Sequence, residues 1–354
     1  SGIRAMFGLA TAHPGGPLRA LGPLLTLLRA ALGPVLREFL LSEFMAAVGV
    51  PTTRALAAVT TGETVWRESP LPGAVLTRVA ASHIRVGTFQ YFYARQDHEA
   101  VRALADHVID RHDADARKAD NPVAAMLEGA VARQARLIAR WLSLGFIHGV
   151  MNTDNTTLSG ETIDYGPCAF MEGFDPATVF SSIDHAGRYA YGNQPAVLKW
   201  NLARFAETLL RLMAPTPDEA IAAASDVLAT YEARYEHHFA TGMASKIGLT
   251  EAFSEPELVA DLLTLMRDHR ADWTGTFRAL ADELPLLRRD GNFVRAGYHP
   301  EIDEARLLGQ DSRKVVAALQ ALPPKQRKGL DAAGPTRDPR VRFCSPMAHV
   351  LLPP

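Results

Sequence analysis

His148-Gly-Val-Met-Asn-Thr-Asp-Asn155, followed by Ile163-Asp-Tyr-Gly166, is the stretch on which the reading of this chain turns. It places Asn155 and Asp164, two hard oxygen donors, nine positions apart, and sets a further carboxylate, Asp154, beside the first of them. Mg²⁺ takes one or two such protein oxygens and leaves its other positions to phosphates and water. The spacing allows a short strand pair to bring both donors to one end. Asn-Thr-Asp-Asn-Thr-Thr alone reads as a polar turn chosen for turn propensity. The His148-Gly start, an apolar helical pattern before it and the Ile-Asp-Tyr-Gly turn after it shift the reading to a metal–nucleotide site.

Phosphotransferases of kinase type carry a His-x-Asp-x-x-x-x-Asn loop before an Asp-x-Gly turn; the loop Asp orients the attacking hydroxyl and the Asn and second Asp hold the metal. His148, Asn155, Asp164 and Gly166 fall in that register, but the loop Asp position is Val150, which takes no proton. Asp154 has two roles open to it, a general base within reach of a hydroxyl or a cap of the loop; the base is the preferred reading. A helix Glu that pairs with a phosphate-gripping Lys is another part of such sites. Glu38 and Glu43 compete for that place, each also readable as an ordinary surface Glu, and no Lys precedes either. Arg78 and Arg85 flank Val79–Ile84 and suit bidentate phosphate contacts, or are solvated charges at a strand end. His185, His237 and His238 lack ligand spacing.

The 354 residues are enough for one large bilobal domain or two smaller ones. A net charge of −2 carries no signal for nucleic acid or for a membrane surface. The apolar stretch Leu18–Leu41 is broken by Gly22-Pro23 and Gly33-Pro34 and holds Arg19, Arg29, Arg37 and Glu38, which argues against a spanning helix or signal peptide. Cys168 and Cys344, the two cysteines, suggest free thiols in a reducing, cytoplasmic compartment rather than a disulfide framework.

Apolar periodicity predicts a helix over Val35–Val48 and strands over Leu56–Thr60, Thr64–Arg67 and Ala74–Ala80, with Gly62 turning between the first two. Helices are predicted over His98–His112, Pro122–Leu144, Val197–Met213, Pro217–Thr241, Glu255–His269 and Asp272–Ala281, and a last one over Ala305–Leu322. The order is α+β. The expected divisions are an atypical Gly/Pro/Arg/Leu-rich segment at 1–28, a small β-containing lobe at 29–95, a helical lobe with the loop and metal site at 96–322, and a tail at 323–354.

At these residues the sequence resembles the SelO (selenoprotein O, YdiU) family of kinase-like protein adenylyltransferases. The segments that carry the resemblance are Gly33–Glu43, Gly49–Leu56, Thr60–Glu63, Pro72–Val79, His83–Gly87, the 148–176 block, Gly192–Pro195 and Trp200–Arg204. The resemblance runs from about Arg29 to Leu212. It implies a protein-kinase-like bilobal fold with a truncated small lobe, a helix plus short antiparallel strands, and a mainly helical large lobe. It also implies ATP as substrate, Mg²⁺ or Mn²⁺ as cofactor, and AMP transfer to Ser, Thr or Tyr hydroxyls of proteins. Carried over by position, Asp154 is the catalytic Asp, Asn155 and Asp164 the metal ligands, Arg78 and Arg85 the phosphate contacts, and Glu38 the partner of the nucleotide Lys. That Lys and a glycine-rich segment belong to a longer N-terminal region in the family. Their absence here reads as a truncated or frameshifted gene model, with residues 1–28 not a natural N-terminal fold, and leaves an apolar face of the Val35–Val48 helix open to association. An impaired nucleotide- or partner-binding protein and, with Val150 against it, a small-molecule kinase are the competing readings.

Overall fold

The computed structural model describes residues 24–248 and 256–283. The chain forms two units: one holds the described residues up to Ile138, His148–Cys168 and Gln194–Arg234, and the other Ala139–Ile147, Ala169–Asn193 and the described residues from Tyr235. The expected helix at Ala305–Leu322, Cys344 and the tail lie outside the described residues.

In the first unit an antiparallel sheet is ordered β1-β3-β2, from β1 (Leu24–Ala31), β2 (Arg54–Trp66) and β3 (Pro70–Ala80). Helix α1 (Leu32–Ala47) follows β1 directly and buries Val35, Glu38, Ser42 and Met45, one stripe at helical spacing. Val35 packs on Ala74 and Leu76 of β3. Because a strand alternates its faces, Arg78 shares the side of β3 that holds Ala74, Leu76 and Ala80, all buried. The sheet alternation and the helix stripe therefore converge on a charged pair, Glu38 and Arg78. Leu36 and Leu40 of α1 are exposed.

The strand prediction needs one correction. Leu56–Thr60 and Thr64–Arg67 are not two strands with a turn at Gly62; all but Arg67 belong to the single strand β2, and the hairpin turns at Arg67–Ser69, where Arg67 N–H donates to Ser69 O at 3.2 Å. The ladder jumps between Thr60 and Thr64. Gly62, with φ of +75°, sits in this bulge, which calls for a backbone that glycine adopts without a Cβ penalty. Across the ladder Gly73 leaves room for it, since a Cβ there would stand 2.8 Å from Glu63 O. The sequence carries no signal for β1, since Leu-Leu-Thr-Leu-Leu-Arg-Ala-Ala has no polar–apolar alternation, and its strand state rests on pairing with β3 from Leu24↔Ala80 to Ala31↔Gly73.

The helices are α2 (Val86–Tyr93), α3 (His98–His112), α4 (Pro122–Ser143), α5 (Gln194–Met213), α6 (Pro217–Lys246), α7 (Pro256–Asp268) and α8 (Trp273–Glu283). All but α2 agree with the predicted positions to within a few residues; α6 runs one turn further than expected. Asp97 caps α3 by accepting from Ala100 N–H at 3.0 Å. In the first unit Phe89 of α2 meets Phe205 of α5 edge to face, ring centroids 4.9 Å apart.

The second unit contains the two-residue ribbon β4 (Phe146–Ile147) and β5 (Ala169–Phe170). Its core gathers Leu142, Ile147, Phe174, Tyr191, Met243, Leu262, Met266 and Phe277 around Trp273. Gly145, with φ of +68°, ends α4 against that indole, and a Cβ there would lie 2.7 Å from Trp273 Cδ1. Among the described residues no helix is long and apolar enough to cross a membrane.

Candidate active site

The loop from His148 to Cys168 lies within the first unit. His148 is fully buried. Its N–H donates to Gln194 Oε1 at 3.0 Å, its Nε2 bonds Ile163 O at 2.9 Å, and its Nδ1 faces Val150 N–H at 3.4 Å. Val150 O in turn accepts from Asn155 Nδ2 at 2.9 Å. One chain of hydrogen bonds thus runs from Asn155 through the histidine to the residue preceding Asp164. Asn155 uses its amide nitrogen in this chain, so its Oδ1 is the atom with metal-ligand chemistry. Burial holds the His148 imidazole below its ordinary pKa, which fits a neutral ring that donates on one side and accepts on the other.

Neighbouring segments fix the loop at both ends. Val86 N–H donates to Thr156 O at 2.9 Å and Leu158 N–H to Ile84 O at 3.0 Å, so Arg85 stands opposite Thr157. Thr53 N–H donates to Thr162 O at 3.0 Å and Thr162 N–H to Pro51 O at 2.9 Å. These pairings bring Arg85 to the segment just after Asn155, and the end of α1's connection to the segment just before Asp164. Asn201, buried on α5, donates to Met151 O at 3.0 Å and Thr156 Oγ1 at 2.9 Å, and so spans the turn that contains Asp154.

Asp154 lies in the short 3₁₀ turn Thr153–Asn155 and is exposed. Its carboxylate rests against the bare Cα of Gly87 in the first turn of α2; a Cβ on Gly87 would come 2.1 Å from Asp154 Oδ1. The helix start favours negative charge there. Asp164 is exposed and takes φ of +67°, a left-handed conformation uncommon for a residue with a Cβ. Tyr165 beside it is buried.

Glu38 and Glu43 separate cleanly. Glu43 pairs with exposed Arg54 at 2.5 Å. Glu38 is 4% exposed, accepts from Arg78 Nη2 at 2.6 Å and accepts from Tyr165 N–H. It therefore ties the sheet to the Asp164 turn. Its cation partner among the described residues is Arg78. Burial pushes the Glu38 carboxyl above its ordinary pKa, against the pull of the Arg78 guanidinium.

Arg78 and Arg85 both act on His83, whose imidazole is pushed down to about 4 by burial and then by the two guanidinium charges. The arginines thus share one positive neighbourhood, and the Nε atoms of both and His83 Nε2 are buried without a protein hydrogen-bond partner. Cys168 is buried, its thiol pushed up to about 11 chiefly by desolvation. A protonated, enclosed thiol does not suit redox exchange.

The structure therefore joins Glu38 and Arg78 as an ion pair that also holds the Tyr165 N–H beside Asp164, and places Arg85 and Asp154 at the paired segments beside Asn155. Sequence reading missed Gly87, Asn201 and Gln194. Asn201 had a signal, because it falls at helical spacing with buried Val197, Leu198, Leu202 and Phe205, where a polar residue needs a partner. Gly87 had none, since its close approach depends on a loop far along the chain.

The family model for protein adenylyltransferase SelO matches residues 28–310. The chain belongs to the SelO family. Among the curated SelO-family relatives, the protein nucleotidyltransferase YdiU of Rhizobium etli is 63% identical over 255 residues, covering 72% of this chain and 51% of that protein. The protein of that name from Rhodococcus jostii is 60% identical over 260 residues, 72% of this chain and 50% of the relative. The Rhizobium rhizogenes protein of that name is 61% identical over 302 residues, 83% of this chain and 60% of the relative. The chain spans about half the length of the curated SelO-family relatives it matches.

One prediction follows from the buried histidines. His83 and His112 are both lowered to about 4, the second by burial and then Arg133, and His148 is lowered by burial. Unfolded, each takes up a proton near pH ~6.5. A depressed histidine pKa makes the unfolded chain bind more protons between those values, so stability is complete above about pH 6.5 and declines as pH falls toward about 4. Melting temperature should be level at neutral pH and fall through that window; a melting temperature that stays level or rises on acidification contradicts it.

Proposed function

We propose that this chain is the catalytic part of a metal-dependent protein adenylyltransferase, transferring AMP from ATP to Ser, Thr or Tyr hydroxyls of other proteins. The observation that carries the reading is the hydrogen-bonded link from Asn155 through His148 to Ile163, which couples the candidate metal ligands, together with an exposed carboxylate, Asp154, one residue from Asn155. Membership in the SelO family supports the reaction class.

Asp154 accepts the proton of the attacking hydroxyl. The hydroxyl oxygen bonds to the α-phosphorus, the bond from that phosphorus to the bridging oxygen breaks, and pyrophosphate leaves. Arg78 and Arg85 neutralise phosphate charge, and Glu38 holds Arg78 in place. Asn155 Oδ1 and the Asp164 carboxylate are hard oxygen donors that fit Mg²⁺ or Mn²⁺. Held there, such an ion would offset negative charge on the phosphate oxygens. Val150, at the position where kinases carry their base, supports a geometry different from γ-phosphoryl transfer.

A protein-kinase-like bilobal architecture is part of the same reading, supported by the sheet with α1 packed against it and the helical remainder. So is a cytoplasmic setting, supported by the enclosed Cys168 thiol and the near-neutral charge. A second reading, nucleotide binding without transfer, draws on the Arg78 guanidinium being already engaged by Glu38.

Incubation of the chain and a protein extract with ATP labelled at the α- or γ-phosphate decides among these, with Asp164→Ala beside wild type. Protein labelled from the α position, and unlabelled with the variant, is the expected result. Label from γ indicates a kinase. No label from either position, with ATP still bound, favours the second reading.

A further inference from the structure

Arg37 precedes Glu38 on α1 and has no assigned role, yet its guanidinium reaches the same loop. Its Nε donates to Tyr165 O at 2.9 Å, and its Nη2 donates to Cys168 O. Glu38 accepts from Tyr165 N–H. Adjacent residues of one helix therefore hold both main-chain polar groups of Tyr165, whose ring is buried with its hydroxyl on Thr52 Oγ1.

These contacts govern the geometry of Asp164. The Tyr165 N–H belongs to the peptide plane directly after Asp164, so Glu38 sets the ψ side of that residue. The Tyr165 carbonyl belongs to the next plane, so Arg37 sets the turn into Gly166 and, through Cys168 O, its exit. Asp164 sits at φ of +67°. A left-handed non-glycine residue persists only where its surroundings over-determine it. The two successive peptide planes held from α1 supply that constraint. A rigid guanidinium fork suits the task, because it reaches two carbonyls at once.

We propose that Arg37 is a positioning residue for Asp164, holding its carboxylate in the orientation that binds the metal. This rests on Asp164 and Asn155 being metal ligands. Arg37 itself is exposed and lies outside the Val35–Met45 buried stripe, so its side chain is replaceable without opening the α1–sheet core. Its effect is on metal affinity, and the nucleotide's own contacts with Arg78 and Arg85 are left in place.

The test is a Mn²⁺ titration of the full chain followed by electron paramagnetic resonance, with a non-hydrolysable ATP analogue present, for wild type, Asp164→Ala, Arg37→Ala and Arg37→Lys. Analogue binding without metal is measured separately, with thermal melting as the check on folding. Arg37→Ala is expected to weaken Mn²⁺ binding about tenfold, the scale of losing a charged hydrogen bond, with metal-free analogue binding unchanged. Arg37→Lys, which keeps the charge but not the fork, should fall between. If Arg37→Ala fails to fold, Arg37→Lys carries the comparison alone. Mn²⁺ binding lost in Asp164→Ala but unchanged in the folded Arg37 variants overturns the proposal alone. Wild type that holds no Mn²⁺, or Mn²⁺ binding unaffected in Asp164→Ala, removes the metal-ligand reading and the proposal with it.

Discussion

Asp154→Asn is expected to lower AMP transfer by roughly 10²–10⁴-fold, the usual contribution of a positioned general base, while ATP binding persists. The substitution keeps the side chain's shape against Gly87 and removes its charge together with its capacity to take a proton. Gly87→Ala makes the same point from the opposite side. A Cβ there would stand 2.1 Å from Asp154 Oδ1, so the carboxylate must swing away. The contact is with the end of an exposed side chain, so folding stability should change little while transfer falls. Quantifying α-labelled AMP on protein beside the melting temperature checks both. Full transfer by Asp154→Asn would assign Asp154 to loop capping alone.

Glu38→Ala should have the largest effect on stability. Arg78 is 8% exposed and would lose its carboxylate, and the Tyr165 N–H would lose its acceptor. Breaking a buried pair on one side costs about 3–5 kcal/mol, because a charge is left enclosed without a partner. Urea unfolding measures this; a loss below about 1 kcal/mol would contradict the pairing. The double change Glu38→Leu with Arg78→Met should recover much of the stability, since desolvation already outweighs the Arg78 attraction at the Glu38 carboxyl. It should not recover transfer, because the cation proposed to bind phosphate is removed with it.

Much of the candidate site was legible because its residues lie close together in the chain. His148, Asn155 and Asp164 lie within one short stretch, and the oxygen donors stand out by type and spacing. The helices were legible for a similar reason: α3 and α4 each bury one face, and the period of that face is written along the chain. The choice between Glu38 and Glu43 was partly legible. Val35, Glu38, Ser42 and Met45 fall on one helical stripe, whereas Glu43 falls beside it. The stripe says that Glu38 is buried, but not what pairs with it. The strands were read less well. Gly62 looks like a hairpin turn because a bulge and a turn demand the same positive φ, and only the ladder against β3 tells them apart.

The sequence by itself determined the family, the α+β order, the buried faces of the helices and the residue types that can meet phosphate and metal. These depend on short-range spacing, which survives in one dimension. Only the tertiary structure decided that Arg78 answers Glu38 across 40 positions, that Gly87 leaves space for Asp154, and that Arg37 and Glu38 together hold the peptide planes after Asp164. Such contacts join segments far apart in the chain, and their strength comes from burial. Neither the neighbour nor the loss of water is encoded in the residues of one segment alone.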